Sequence, residues 1–279
     1  MEIALEIKEN IKDFNLTKFK RIYFGDIFCQ NLIPEKQKLL EVYKTVCDNN
    51  IKFTLNTPYV TDEALKKILT NIETLYKYNN NFEVVFNDWG IFYEIKKNFP
   101  NIKLILGRLL TKQRTDPNAL KIITNTQEKT DNVIPINFPN SLYEHFQSSV
   151  INDKVFQDYL VENDIKRAEL EYLAWNMKIQ LPENIKATVY FPYAHVTTTR
   201  KCSTLNMTYT KCNKMCLDTK IEYPTDSYHP FSYIAMGNTI YYSVENIMNK
   251  SSLNKYKNID RVVINDFSKY ESYLKMQEQ

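Results

Sequence analysis

Short apolar runs alternate with amphipathic stretches along most of this chain. Arg21-Ile22-Tyr23-Phe24 reads as a buried strand ending at Gly25-Asp26. Past Pro34, a favourable first-turn residue, residues 35–48 set Leu39, Leu40, Tyr43 and Val46 on one helical face. The next strand covers 51–56 and closes at Thr57-Pro58. Thr61 is then the expected N-cap of a helix reaching residue 78, with Asp62 and Glu63 in its first turn. The period returns with a strand at 83–87, a helix over 91–98, and a strand at 102–106 that stops at Gly107-Arg108.

Farther on, residues 109–132 mix loop and helix, and Pro135 suits residues 133–136 to an edge strand or bulge. Two helices are expected at 140–149 and 152–163, and strands at 166–170, 185–193, 239–243 and 261–265. Ala187, Val189 and Phe191 share one strand face; residues 1–20 open with a short strand or helix. A strand roughly every 25–35 residues, with helices between, predicts a parallel sheet. Six to eight such units favour a closed α/β barrel, TIM-barrel-like, and the 279 residues fit one (β/α) barrel of ~250. No linker rich in Pro, Gly or Ser divides the chain. A single domain over 1–279 is expected, with a Cys-rich loop at about 195–220.

Charge excludes some partners. The 36 basic and 33 acidic residues are dispersed, giving +3, a solvated surface rather than a polybasic footprint. A nucleic-acid partner stays open on these grounds but is not called for. No run approaches the ~18 apolar residues of a membrane span. The first residues alternate charge with apolar groups and lack a signal-peptide core, so a cytoplasmic protein is expected. Thiols stay reduced there, which argues against a disulfide framework. Four scattered glycines fit neither a dinucleotide fingerprint nor a P-loop, and His145, His195 and His229 form no zincin helix.

Chemistry concentrates at the carboxyl ends of the expected strands, where a barrel of this kind places its function. Cys29 follows one strand exit, and Cys202, Cys212 and Cys216 form C-x9-C-x3-C after another. Cys47, on a helix among apolar neighbours, is expected to be a small buried hydrophobe. Four thiolates on one rim can hold zinc or an iron–sulfur cluster. The C-x3-C spacing suits a zinc knuckle, iron–sulfur clusters tolerate varied spacing, and unligated thiols remain open. Arg200, Lys201, Lys211 and Lys214 place positive charge beside them. Asn87, Asp88, Arg108 and His195 are the rim candidates for substrate contact. Asp88 equally suits a helix cap, Arg108 an ion pair, and His195 a hydrogen-bonded loop. If it is free, the Arg108 fork would grip the carboxylate of a small organic acid.

The run Tyr23-Phe24-Gly25-Asp26-Ile27-Phe28-Cys29, with the later C-x9-C-x3-C, resembles the collagenase-like peptidase (U32-type) family, and within it the ubiquinone-biosynthesis members. Asn87-Asp88-Trp89-Gly90, Gly107-Arg108-Leu109-Leu110 and Gly237-Asn238-Thr239 extend the likeness over nearly the whole chain. Outside the cysteines it is diffuse, and the gap between the second and third cluster cysteines is shorter here. The resemblance implies a TIM-barrel-like fold with one [4Fe-4S] cluster on Cys29, Cys202, Cys212 and Cys216. It implies oxygen-independent hydroxylation of a quinone precursor, or of RNA bases as in other members, with a homologous partner subunit in a heterodimer. No nucleophile–base pair or catalytic metal motif supports the peptidase label. The alternative, from a different class, is a non-catalytic barrel stapled by zinc or a cluster and serving as an assembly or binding subunit; a peptidase is the third.

Overall fold

The computed structural model describes residues 1–11, 14–118, 139–175, 177–200, 202, 212–226 and 231–278. Eight parallel strands close into a barrel. They are β1 (Glu2–Ile7), β2 (Arg21–Phe24), β3 (Lys52–Asn56), β4 (Glu83–Phe86), β5 (Lys103–Leu106), β6 (Arg167–Leu170), β7 (Lys186–Phe191) and β12 (Ile259–Ile264). β12 inserts between β1 and β7, so the first and last barrel strands of the chain seal the cylinder. The described helices outside it are α1 (Lys36–Asp48), α2 (Asp62–Tyr78), α3 (Trp89–Asn98), α4 (Asn140–Gln147), α5 (Lys154–Glu162), α6 (Lys250–Asn254) and α7 (Tyr270–Glu278). This is a single-domain TIM-barrel-like α/β fold. Among the described residues no helix is long and apolar enough to cross a membrane.

Period-two alternation in the strands sorts residues between two environments. Leu5, Ile22, Phe53, Val84, Leu104 and Val262 belong to the core that packs against the helices. The helices answer with matching stripes, such as Leu39, Val42, Tyr43 and Val46 on α1. Val42, not Leu40, completes that stripe. Each such fully buried side chain contributes about 1.5–3 kcal/mol. Thr61 occupies the N-cap position of α2, yet its side chain makes no capping bond, and the acids Asp62 and Glu63 meet the helix dipole instead.

The other strand face fills the barrel, and it is unusually polar. At the amino-terminal end two arginines and two glutamates form a ring. Arg21 stands 2.7 Å from Glu2 and 2.9 Å from Glu83, and Arg261 2.7 Å from Glu2 and 3.0 Å from Glu83. Tyr23 accepts a further bond from Arg261 at 2.7 Å.

The segment expected to continue the parallel rhythm at 239–243 departs from it. β11 (Thr239–Ser243) lies in a second, antiparallel sheet with β8 (Tyr193–Thr198), β9 (Ile221–Tyr223) and β10 (Tyr233–Met236), in the order β8-β11-β10-β9. The expected strand over 185–193 divides at Pro192, which has no N–H for a ladder, and β8 leaves β7 at the carboxyl end of the barrel. The small sheet therefore stands at the mouth where function was expected. The start of the expected Cys-rich loop is strand β8. The suggested strand at 133–136, together with His229, Lys201 and Lys211, lies outside the described residues.

Candidate functional site

The site starts at the exit of β2. Gly25 takes φ +103°, where a Cβ would stand 2.9 Å from the Asn56 carbonyl oxygen. The chain then turns through Asp26, whose Oδ1 accepts the backbone N–H groups of Phe28 and Cys29, each at 2.7 Å. Its Oδ2 pairs with Lys8 at 2.6 Å, just past the end of β1. One buried carboxylate thus sets the conformation of the loop that presents Cys29.

The small sheet brings the other thiols. β10 and β11 are joined by a two-residue turn with glycine first, a favoured hairpin arrangement. Gly237 adopts φ +64°, and a Cβ there would come 3.1 Å from Cys216 Cβ and 3.4 Å from its sulfur. Asn238 follows, donating from Nδ2 to the Phe28 carbonyl at 2.9 Å and to the Thr199 carbonyl at 2.6 Å. That amide fastens the Cys29 loop to the strand leading towards Cys202. Cys216 sits in a short 3-10 turn after Cys212.

Cys29, Cys202, Cys212 and Cys216 all line one cavity of about 240 Å³, with Glu6, Lys8, Asp26, Arg200, Lys220 and Asp266 among its other walls. Burial, then the Asp26 charge and the neighbouring cysteines, pushes the Cys29 thiol up to about 12. Burial first, and Cys202 next, push Cys216 up to about 11. Thiols held like this keep their protons unless a cation displaces them. Among the described residues, no three His, Cys, Asp or Glu side chains are gathered as a metal-holding group. The donor set fits a thiolate-bound metal or cluster by chemistry and shared cavity. Closing it around an ion requires the sulfurs to draw together. Cys47 lies at the opposite end of the barrel, lining a separate cavity of about 550 Å³ beside the Arg–Glu ring.

The rim candidates divide. Asn87 donates to the Thr57 carbonyl at 3.0 Å and accepts from Leu109 N–H at 3.1 Å, tying three strand exits together. Asp88 caps α3, accepting from Gly90 N–H at 2.7 Å and Ile91 N–H at 3.4 Å. Trp89 packs among Phe86, Phe92, Phe156 and Tyr159. None of Asn87, Asp88, Arg108 and His195 is part of the cavity wall.

Arg108 and His195 instead meet inside the barrel mouth, beneath Phe28. The Arg108 guanidinium pairs with Glu171 at 3.0 Å and lies 3.7 Å over the Tyr190 ring and 4.9 Å from the Phe28 ring centre. One arm of its fork is thus held by Glu171, the ion pair that the sequence allowed beside carboxylate binding. His195 stacks on Phe28 at 4.8 Å, and its backbone N–H donates to Glu171 at 3.0 Å. Burial, and secondarily the Arg108 charge, lower its ring to about 3, so it is neutral at physiological pH. Glu169 and Glu171 lie at the end of the strand expected at 166–170, and neither they nor Glu6 were among the substrate-contact candidates. Glu6 accepts from Asn56 Nδ2 at 2.8 Å, and Tyr190 donates a short hydrogen bond to Glu169. A usable signal was present: glutamates at alternate positions of apolar strands (Glu2 and Glu6, Glu169 and Glu171) point into a barrel rather than to solvent.

No family model matches the chain. No curated protein matches it either. Among solved structures, an Ostrinia furnacalis group IV chitinase in complex with allosamidin is similar over 94% of this chain and 91% of its own, at 10% identity and a TM-score of 0.37.

Proposed function

We propose that the chain is an iron–sulfur protein. Cys29, Cys202, Cys212 and Cys216 would hold one [4Fe-4S] cluster at the carboxyl-terminal mouth of the barrel. It would support oxygen-independent hydroxylation or a related modification of a small organic substrate, a quinone precursor or an RNA base, alongside a homologous partner subunit. This is the activity implied by the chain's resemblance to the UbiV-like members of the collagenase-like peptidase family. The supporting observation is that these four cysteines, drawn from opposite halves of the chain, wall a single cavity while the fifth stands at the far end.

The cluster would supply one-electron chemistry at that mouth. The chain's own residues do the rest. Asp26 and Lys8 hold the Cys29 loop, Asn238 holds that loop to the strand before Cys202, and Arg200 adds positive charge to the wall that bound thiolates would face. Phe28, next to Cys29, stacks on His195 and lies against Arg108.

Anaerobically purified protein should be brown and carry about four iron and four sulfide per chain, with each of the four Cys→Ser changes lowering both. Cys47→Ser should leave them unchanged. Zinc in colourless protein would favour the second reading, a barrel whose loop is stapled by a structural ion. The Cys212–Cys216 spacing across one short turn is the feature that suits it.

A further inference from the structure

Below the thiol cavity the barrel encloses three carboxyls, Glu6, Glu169 and Glu171, against one guanidinium, Arg108. The Lys8–Asp26 pair nearby neutralises itself. Several polar atoms in this cluster have no hydrogen-bond partner although they are buried: Glu169 Oε1, Glu171 Oε1, Asn56 Oδ1, His195 Nε2 and Arg108 Nε. Glu169, Glu171, Asn56 and Arg108 are each at most 3% exposed. Native proteins rarely leave such atoms unmatched, because a buried polar group without a partner loses its hydration and gains nothing in return. Four of the five can accept a hydrogen bond, and carboxyls outnumber guanidiniums in the cluster.

From this imbalance we infer that the cluster is a binding site for a small N–H-rich cation of the ammonium, amidinium or guanidinium type, entering from the thiol cavity past Glu6. Glu6 lines that cavity and also reaches the Asn56 side chain within the barrel. N–H donors on the ligand would complete Glu169, Glu171 and Asn56, and an acceptor atom beside them would take the Arg108 Nε proton. An organic acid would instead meet three carboxyls and an arginine already engaged by Glu171. Burial, above all, holds the carboxyls of Glu6 and Glu171 above their ordinary range and that of Glu169 at about 7. A cation brought among them favours the ionised forms, so its entry releases protons. None of this requires iron at the thiols.

Isothermal titration calorimetry of the full chain with methylguanidinium, against butyrate at the same ionic strength, tests it. Methylguanidinium should bind saturably, with proton release visible as a heat that varies with the buffer, and butyrate should not bind. Glu171→Gln should weaken methylguanidinium at least about ten-fold, the loss of one charge-assisted hydrogen bond. If that variant does not fold, Glu169→Gln, which leaves Tyr190 an acceptor, should weaken it similarly. The inference is overturned if methylguanidinium fails to bind, if butyrate binds as tightly, or if the folded variants keep wild-type affinity. Iron content is measured separately, so an iron-bearing protein indifferent to methylguanidinium would overturn this inference alone.

Discussion

The two ends of the barrel interior use the same residue types to opposite effect. At the amino-terminal end, Glu2 and Glu83 each touch both Arg21 and Arg261, so two carboxylates face two guanidiniums. Burial alone would raise Glu2, but Arg261 and Arg21 outweigh it and hold its carboxyl at about 2. Glu83 is lowered by the same pair against the same burial. At the carboxyl-terminal end Arg108 acts on all three glutamates, with Lys8 beside Glu6 and Arg261 acting more weakly on Glu169. There burial wins, and the carboxyls rise. Depth and partners act together: the Glu2 and Glu83 side chains keep 18% exposure and meet two guanidiniums each, whereas Glu169 and Glu171 are at most 1% exposed with fewer cations beside them. A ring that satisfies itself is a fastening, whereas an unbalanced cluster is open to a ligand.

The largest expected effect breaks the balanced end. Arg261→Met removes one guanidinium from both Glu2 and Glu83 and should cost about 3–5 kcal/mol by denaturant titration. Arg108→Met, at the unbalanced end, leaves Glu171 with a raised pKa and able to take up a proton. Its cost should therefore be smaller at pH 5 than at pH 8. Equal losses at both pH values would contradict the contrast drawn here.

Glu169 sharpens the difference. Its folded pKa of about 7 lies above its ordinary value of 4.5. The folded state binds the extra proton, so stability falls as pH rises from about 4.5 through 7. Glu169→Gln mimics the protonated carboxyl and should stabilise the protein at pH 8 by roughly 3 kcal/mol, with no gain at pH 4. Thermal midpoints across that range measure it.

Glu2 has the opposite sign. Its depressed pKa contributes stability above 4.5 that is lost as pH falls towards 2. Glu2→Gln should flatten that acid limb by about 2 kcal/mol, since solvent reaches part of the group. The smallest change is at the hairpin turn. Gly237→Ala meets both a positive φ and the Cys216 side chain and should cost about 1 kcal/mol. Under the proposed iron–sulfur reading, the shift of Cys216 should also lower iron retention more than the stability cost alone would, as metal analysis after dialysis would show.

Much of the barrel was legible because its signals are local. The helical stripe of α1, the runs at 51–56 and 83–87, and the glycines that stop β2 and β5 each lie within a few residues of one another. β1 was ambiguous because Glu2-Ile3-Ala4-Leu5-Glu6-Ile7 carries its polar residues on the inner face, the reverse of a strand facing water. The small sheet was missed because β9 has only 3 residues and its partners are Thr- and Tyr-rich segments without a strong period. The thiols stood out by residue type. Capping by Asp88 was one of two readings its position allowed, and geometry chose between them.

By itself the sequence determined the succession of strands and helices, and hence the parallel barrel, since side-chain periodicity and turn residues act over short distances along the chain. Tertiary structure alone decided which carboxyls gained arginines and which were left wanting. Closing the barrel carries Arg261 to Tyr23 and Arg108 to Glu171, and electrostatic energy depends on those separations in space and on the water excluded around them, which residue spacing does not encode.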